Sequence, residues 1–364
     1  MKKQVLVIVS SKPGSAIEQR AIGLFSGMQS SFDVTIIKRT SSRGRDFVRF
    51  LFEIYNTKPN LIYLLDTSIA GAYAVIFARM IRNIPLIVDT GDFAYLLARK
   101  LKRPGLLGRA TIFIAESVSI RLANAIVVRG SLHREMLPPR IRQKTLLIRD
   151  ATYIDRYEPE PQNNCDSNLN ICMIGTINYD SERQTCYGHD LITAFSYLKN
   201  LPISAYIVGD GDGLDFLRLE CKRLGIENRT HFLGRMAYDN LPNFLAGMDV
   251  CISTQSNDPI GNARTTGKLV EYVAAGKFIL ASDVGEAKII LPEIMRIPYN
   301  GSYDPEYPKA LADRISKILT LGQAERVSVG LEVKQRWAHL LDYSCAAMAA
   351  NNLIERCLTD FYGS

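Results

Sequence analysis

The chain has 364 residues, of which 47% are hydrophobic and 22% charged. That balance excludes disorder, collagen and coiled coil as descriptions of the whole chain, and the length leaves room for two domains. Charge is split unevenly. Residues 1–150 hold 24 Lys+Arg against 10 Asp+Glu and the remainder 20 against 27, a surplus of 14 positive charges followed by 7 negative ones, which gives the net +7. A basic first half favours an anionic partner, whether phosphate, acidic lipid or nucleic acid. Nucleic acid is disfavoured, because no aromatic interleaving or known binding motif accompanies the charge. A solvated surface kept for solubility is the alternative.

The first apolar run, Val5 to Val9, is too short for the roughly 7–15-residue core of a signal peptide and is rich in β-branched residues. It reads as a buried strand, and the protein is expected to be cytoplasmic. No stretch approaches the ~20 apolar residues of a spanning helix. The best, Ile69 to Ile81, is short and carries Arg79.

From there buried-strand and helix patterns alternate. Ala16–Met28 has helical spacing, Val34–Lys38 reads as a strand and Arg43–Tyr55 as a helix. Apolar runs follow at Leu61–Asp66, Pro85–Asp89, Ala125–Arg129 and Leu146–Arg149, with helical segments between. Near-continuous apolar strands between helices predict a parallel sheet covered on both faces, with ligands beyond its carboxyl edge. Tyr157 to Asn168, with two prolines and many polar residues, reads as a linker. The alternation restarts with strands at Asn170–Ile174, Ala205–Val208, His231–Leu233, Val250–Ser253 and Phe278–Ala281, and helices at His189–Leu198 and Leu214–Leu224. Ala324 to Tyr362 reads as helical, with its one break signal at Gly330. The predicted fold class is α/β, with two doubly wound domains facing a cleft: residues 1–158, residues 159–340, and a helix at 341–364 returning to the first domain.

The seven cysteines form no C-x-x-C and the four histidines are scattered. No disulfide framework, metal site or cofactor is expected.

Several loops carry chemistry. Lys12-Pro13-Gly14-Ser15 offers a glycine turn toward the cleft. Asp89-Thr90-Gly91-Asp92 ends a strand; its carboxylates suit acid/base or hydroxyl-binding work, or cap the next helix. Arg99 to Leu107 interleaves basic and apolar residues, so it either docks on an anionic bilayer or is a solvated loop. Gly209-Asp210-Gly211-Asp212-Gly213 joins a strand to a helix. Leu214 stands where a dinucleotide fingerprint needs its third glycine, and a tight turn is favoured over a cation site on the two aspartates. Phe232-Leu233-Gly234-Arg235 ends another strand with a glycine turn. The densest signal is Arg264-Thr265-Thr266-Gly267-Lys268 ahead of a helix at Leu269–Ala275. A helix start with glycine and two bases is an anion site, and Glu271, read as first-turn, could accept the hydroxyls of a ribose.

Gly209-Asp210-Gly211, Phe232-Leu233-Gly234, Leu241-Pro242, Asp249-Val250 and Lys268 to Gly276 together resemble the carboxyl-terminal domain of family-4 glycosyltransferases. Leu147 to Pro159 is similar to the segment with which that family leaves its first domain. The resemblance implies a GT-B fold and transfer of a sugar from a nucleotide-diphosphate donor, with retention and no essential metal. The nucleotide sugar would sit on the second domain and a phosphate-bearing or glycan acceptor on the first. Glu271 matches the second member of the family's paired-glutamate motif; the first falls on Ala263, for which Asp258 could substitute. The family's Arg and Lys after the first strand fall on Thr176 and Tyr187, so Arg183, Arg264 and Lys268, with Thr266 and Gly267, would hold the diphosphate. Gly234 and Arg235 would border the base, Gly14 would face the donor, and Asp92 is the candidate first-domain residue touching sugar or acceptor. The basic first domain suggests an acceptor carrying phosphate, such as a lipid-diphosphate glycan at the inner membrane face, and polysaccharide biosynthesis is the expected setting. The alternative is a degenerate sugar-nucleotide-binding protein of the same fold.

Overall fold

The computed structural model describes residues 2–11, 13–102, 104–157, 168–181 and 183–363. The strands, in chain order, are β1 (Gln4–Val9), β2 (Asp33–Lys38), β3 (Leu61–Leu65), β4 (Leu86–Thr90), β5 (Ala125–Val128), β6 (Thr145–Leu147), β7 (Leu169–Ile174), β8 (Tyr179–Asp180), β9 (Thr185–Cys186), β10 (Ile203–Val208), β11 (Thr230–Gly234), β12 (Val250–Ser253), β13 (Phe278–Ser282) and β14 (Arg296–Ile297).

Two compact units emerge. The first holds Met1–Thr152, Ala263–Thr265 and Leu340–Ser364; the second holds Tyr153–Asn262 and Thr266–His339. The division falls at Thr152/Tyr153 rather than at 158/159, and residues 158–167 of the expected linker lie outside the described residues.

The first unit contains a parallel sheet ordered β2-β1-β3-β4-β5-β6. Its centre is apolar because parallel strands are covered on both faces: every residue of β3 and β4 is buried, and Val5 pairs with Val34 on one side and Leu61 on the other. The helix Ala16–Phe25 begins at Ser15, whose hydroxyl accepts from the Glu18 N–H, and it packs on the helix Tyr343–Tyr362. A Cβ on Gly23 would fall 2.3 Å from the Tyr343 ring, so that contact requires glycine.

The second unit repeats the plan with a parallel sheet ordered β11-β10-β7-β12-β13-β14, plus the small antiparallel hairpin β8-β9. Its order reverses at β7: the chain runs outward from β7 through β10 to β11, then resumes at β12 on the other flank.

Two sequence expectations are corrected. The Arg99–Leu107 stretch is not simply a loop: Arg99 and Lys100 end the helix Ala94–Lys100, and Leu106 and Leu107 open the helix Leu106–Leu122. Gly330 does not break the tail. It lies inside the helix Gln323–Trp337, and a Cβ there would meet the Gly276 carbonyl oxygen at 2.3 Å, so its role is close packing. The break comes between Trp337 and Tyr343, where the Asp342 carboxylate accepts from the Ser344 N–H and starts the last helix.

Candidate functional site

In an open parallel sheet a ligand sits at the carboxyl edge where the strand order reverses. In the second unit that point is β7/β12. Three glycine turns shape it. The Gly175 N–H donates to the Val208 carbonyl at 3.0 Å, and the Gly209 N–H donates to the Gly234 carbonyl at 2.8 Å. A Cβ on Gly209 would lie 1.8 Å from the Gly175 carbonyl oxygen, with φ at +147°. Only glycine allows these loops to touch backbone to backbone. The two aspartates of the turn are engaged in holding it: Asp210 accepts from the Gly211 N–H and Asp212 from the Tyr179 N–H, both at 2.7 Å. The GDG run is therefore a packing turn.

The helix Gly267–Ala274 follows β12 and starts at Thr266, which has extended geometry and contributes no side-chain cap. The Leu269 N–H donates to the Thr266 carbonyl at 2.9 Å, and the positive end of the helix dipole favours an anion beside this start. The Lys268 amine stands 3.5 Å from the centre of the Tyr187 ring. It also lies 3.3 Å from where a Gly175 Cβ would be, which places the charge at the end of β7. Tyr187 occupies the position where the resemblance implies a lysine, and here its ring supports a lysine from elsewhere. Burial keeps the Tyr187 hydroxyl far above its usual range, so the ring stays neutral and its face remains a cation platform.

Glu271 is not in the first turn as read from sequence. The helix begins two residues earlier than expected, and Glu271 lies in its second turn, 2% exposed, accepting from the Tyr157 hydroxyl. Asp258 caps the short helix Pro259–Ala263 by accepting from the N–H groups of Ile260 at 3.0 Å and Gly261 at 2.9 Å. Arg183, between β8 and β9, pairs with Asp180 at 3.2 Å and donates to the Ser302 hydroxyl at 3.3 Å. Gly234 has φ +67°, and Arg235 beyond it is exposed.

In the first unit the edge is built from buried charge. Asp89, at 0% exposure, accepts from Arg20 at 2.9 Å, Arg129 at 3.0 Å and the Tyr63 hydroxyl at 3.0 Å. Burial raises its carboxyl, but the two guanidinium groups outweigh burial and hold it below the ordinary value. It is thus a structural counter-ion rather than an acid/base group. Asp66, with φ +64°, pairs with Arg129 at 3.1 Å, yet burial leaves its carboxyl at about 6. Gly14 donates to Glu18 at 2.5 Å, closing the turn before the first helix.

Asp92 does not cap the following helix. Glu116 does, accepting from Ala94 at 2.7 Å and Tyr95 at 3.1 Å. Asp92 is instead bonded by Arg264 through Nε at 2.5 Å and Nη2 at 3.2 Å, within the unit that includes Ala263–Thr265. The structure so joins two candidates that the sequence assigned to different tasks. Arg20, Asp66, Arg129, Glu116 and Tyr157 were not singled out from sequence. For Asp66 and Arg129 a signal existed: each ends an apolar strand run, where the carboxyl edge begins.

Residues 183–333 match the family model "Glycosyl transferases group 1". A glycosyltransferase of Methanocaldococcus jannaschii, itself uncharacterized, is 30% identical over 115 residues, which are 31% of this chain and 27% of that protein. The mouse GDP-Man:Man(3)GlcNAc(2)-PP-Dol alpha-1,2-mannosyltransferase is 28% identical over 116 residues, 31% of this chain and 22% of that protein. The match thus spans about a quarter of each relative's length. Among solved structures, sucrose-phosphate synthase from Thermosynechococcus elongatus superposes with a TM-score of 0.77 at 16% identity, covering 99% of this chain and all of that one. Anabaena HepE in complex with UDP and glucose superposes with a TM-score of 0.72 at 16% identity, covering 97% and 100%. The chain has the two-domain α/β GT-B fold, and its residues 183–333, which hold Lys268 and Glu271, match the group 1 glycosyl transferases.

Proposed function

We propose that the protein is a glycosyltransferase that moves a sugar from a nucleotide-diphosphate donor to an acceptor hydroxyl, with retention and without a bound metal. The observation that carries this reading is Lys268 on the uncapped first turn of the helix Gly267–Ala274, at the switch point of the second sheet and inside the family-matched segment. HepE, of the same fold, is described in complex with UDP and with UDP-glucose.

In this reading the helix N–H groups and the Lys268 ammonium meet the negative charge that develops on the departing diphosphate. Fixed donors and a preset charge need little reorganisation during the reaction, and they supply the charge neutralisation a divalent cation otherwise would. Arg183 and Arg264 are the further cations proposed for the donor; each exchanges a carboxylate partner, Asp180 or Asp92, for phosphate. Gly234 and Arg235 border the base. A ribose reaches Glu271 only where Tyr157 yields the carboxylate, so the Tyr157–Glu271 pair acts as a latch on ribose binding. Asp92, once released from Arg264, is the first-unit group proposed to touch sugar or acceptor. Among the described residues no helix is long and apolar enough to cross a membrane. Work at the inner face of a membrane, as in polysaccharide biosynthesis, remains part of this proposal and rests on the basic first unit.

The test is a thermal-shift screen with UDP, GDP, ADP, TDP and CDP and their sugars, followed by release of nucleoside diphosphate. A ligand at about 100 times its dissociation constant adds roughly 2.7 kcal/mol of stability. One base is expected to shift the melting curve and its sugar to be turned over. Binding of a sugar nucleotide with no release across a broad acceptor panel refutes the transferase reading and leaves a binding protein.

A further inference from the structure

The chain leaves β1 for β2 on one flank, then returns past β1 to β3, β4 and β5. Parallel crossovers are right-handed, so this reversal places the helices that follow it on the face opposite the helix Ala16–Phe25. The helices Arg43–Thr57, Ile69–Ile81 and Leu106–Leu122 therefore form one layer on the first sheet. They share a core with the strands through Phe50, Ile54, Val75 and Ala115, and the second packs against both of the others. The opposite layer is Ala16–Phe25 against Tyr343–Tyr362.

The two layers differ in what they turn to solvent. Among the described residues, ten large apolar side chains are exposed on the three helices of the first layer and three on the two helices of the second. Those of the first layer fall on stripes. On Arg43–Thr57 they are Val48, Phe52 and Tyr55, spaced by four and three residues, while Phe50 and Ile54 fill the core from another side of the same helix. On Ile69–Ile81 they are Phe77, Met80 and Ile81. Phe47 links the two stripes, its ring 5.7 Å from that of Phe77. Phe52 is 62% and Ile81 82% exposed, so neither is a core residue seen at its edge. A helix on a sheet needs one apolar stripe, for the core; a second one, shared with its neighbour and facing water, marks an interaction surface.

Charge selects the partner. The acids of these three helices are Asp46, Glu53 and Glu116. Asp46 and Glu116 are buried on backbone N–H groups, Glu53 is half-buried, and none is exposed. Arg45 lies two turns before Phe52 on the same side of its helix. Lys58, Arg82 and Arg121 stand at the carboxyl ends of the three helices. All four bases are exposed, and none is in an ion pair among the described residues. Apolar stripes flanked by bases, with no exposed acid, fit an anionic bilayer: head groups meet the charges while the apolar side chains enter the acyl boundary. Two copies meeting through this layer would instead set the same bases against each other.

We propose that this layer docks the protein on an anionic bilayer through Val48, Phe52, Tyr55, Met80 and Ile81, with Arg45, Lys58 and Arg82 on the lipid head groups. That docking brings the chain to a lipid-linked acceptor rests on the glycosyl-transfer reading; the docking itself does not.

The test is co-sedimentation of the full chain with vesicles of phosphatidylcholine and with vesicles of equal parts phosphatidylcholine and phosphatidylglycerol. The mixed vesicles are expected to bind about tenfold or more tighter, since each base near the surface contributes about fivefold. Raising salt from about 0.01 to 1 M shortens the screening length from about 30 to 3 Å and is expected to remove most of that preference. Phe52→Asp/Ile81→Asp is expected to weaken binding to the mixed vesicles about tenfold or more, and Arg45→Gln/Arg82→Gln about 25-fold at low salt. Met348→Asp, on the opposite layer and as exposed as Phe52, is expected to leave it within about twofold. The salt series uses the parent chain and needs no variant.

Equal binding to the two kinds of vesicle, or a preference indifferent to salt, overturns the anionic bilayer as the partner. A loss in Met348→Asp equal to that in Phe52→Asp/Ile81→Asp overturns this layer as the surface. A parent chain that sediments as a dimer without vesicles, and as a monomer in Phe52→Asp/Ile81→Asp, makes the layer an interface between copies and overturns the docking. Turnover of a nucleotide sugar without vesicle binding defeats this proposal and leaves the transferase reading, and vesicle binding without nucleotide binding does the reverse.

Discussion

Replacing Lys268 by methionine removes one positive charge while keeping a long, flexible side chain against Tyr187. In the ligand-free protein the ammonium lies 3.5 Å from that ring's centre, a cation–π contact of about 0.5–2 kcal/mol depending on its desolvation. A thioether also favours an aromatic neighbour, by about 0.3–1.5 kcal/mol. The net loss of stability should therefore stay below about 1 kcal/mol. With a diphosphate bound the balance differs. Two unit charges about 4 Å apart at an effective dielectric of 20 interact by about 4 kcal/mol, but the desolvation of both reduces the net to the roughly 1.5–3 kcal/mol of a hydrogen bond between charged groups. Lys268→Met should thus raise the dissociation constant of the preferred nucleoside diphosphate about 10- to 150-fold at nearly unchanged melting temperature. Titration calorimetry for affinity and scanning calorimetry for stability measure the two quantities independently. Affinity within about threefold of the parent chain would show that the diphosphate does not lie at the start of this helix, and would remove the main support for the proposed function.

Asp89→Asn leaves Arg20 and Arg129 buried with less counter-charge, so urea denaturation should show a loss of about 3–5 kcal/mol; a loss below about 1 kcal/mol would mean that Asp150 and Asp66 suffice. Asp190, in the first turn of the helix His189–Ser196, has its carboxyl raised to about 7 by burial and then by Asp304. In the window between its ordinary value of 3.8 and about 7 the folded chain binds more protons than the unfolded one, so this group lowers stability as pH rises, by up to about 4 kcal/mol above pH 7. Asp190→Asn should therefore stabilise the protein most at pH 8 and progressively less toward pH 4; a pH-independent difference between the two proteins would contradict the assignment.

The parallel sheets were legible because a strand buried on both faces must be apolar throughout. Val5–Val9, Leu61–Leu65 and Val250–Ser253 announce themselves without any knowledge of their neighbours. The hairpin β8-β9 and the strand β14 were not, since two residues carry no periodicity. A helix start near Gly267 was legible from local chemistry alone, as glycine and lysine after a strand. The place of Glu271 was missed by a shift of two residues at the helix start, enough to turn its carboxylate from a ligand-facing first turn toward Tyr157, which lies 114 residues away in sequence. Gly330 misled for a related reason: a glycine that breaks a helix and one that lets a helix approach a neighbouring backbone look alike in sequence.

What the sequence by itself determined was therefore the class of fold, two α/β units of opposite charge, and the segment in which the helix Gly267–Ala274 begins. Both depend on interactions within a few residues of each other: apolar period, turn chemistry and the orphan N–H groups of a helix start. Only the tertiary structure decided which charges face one another. Arg20, Asp89 and Arg129 became a buried network, and Asp92 met Arg264. Those pairings join residues tens to more than a hundred positions apart, and charge interactions depend on distance and burial, neither of which is written in the order of residues along the chain.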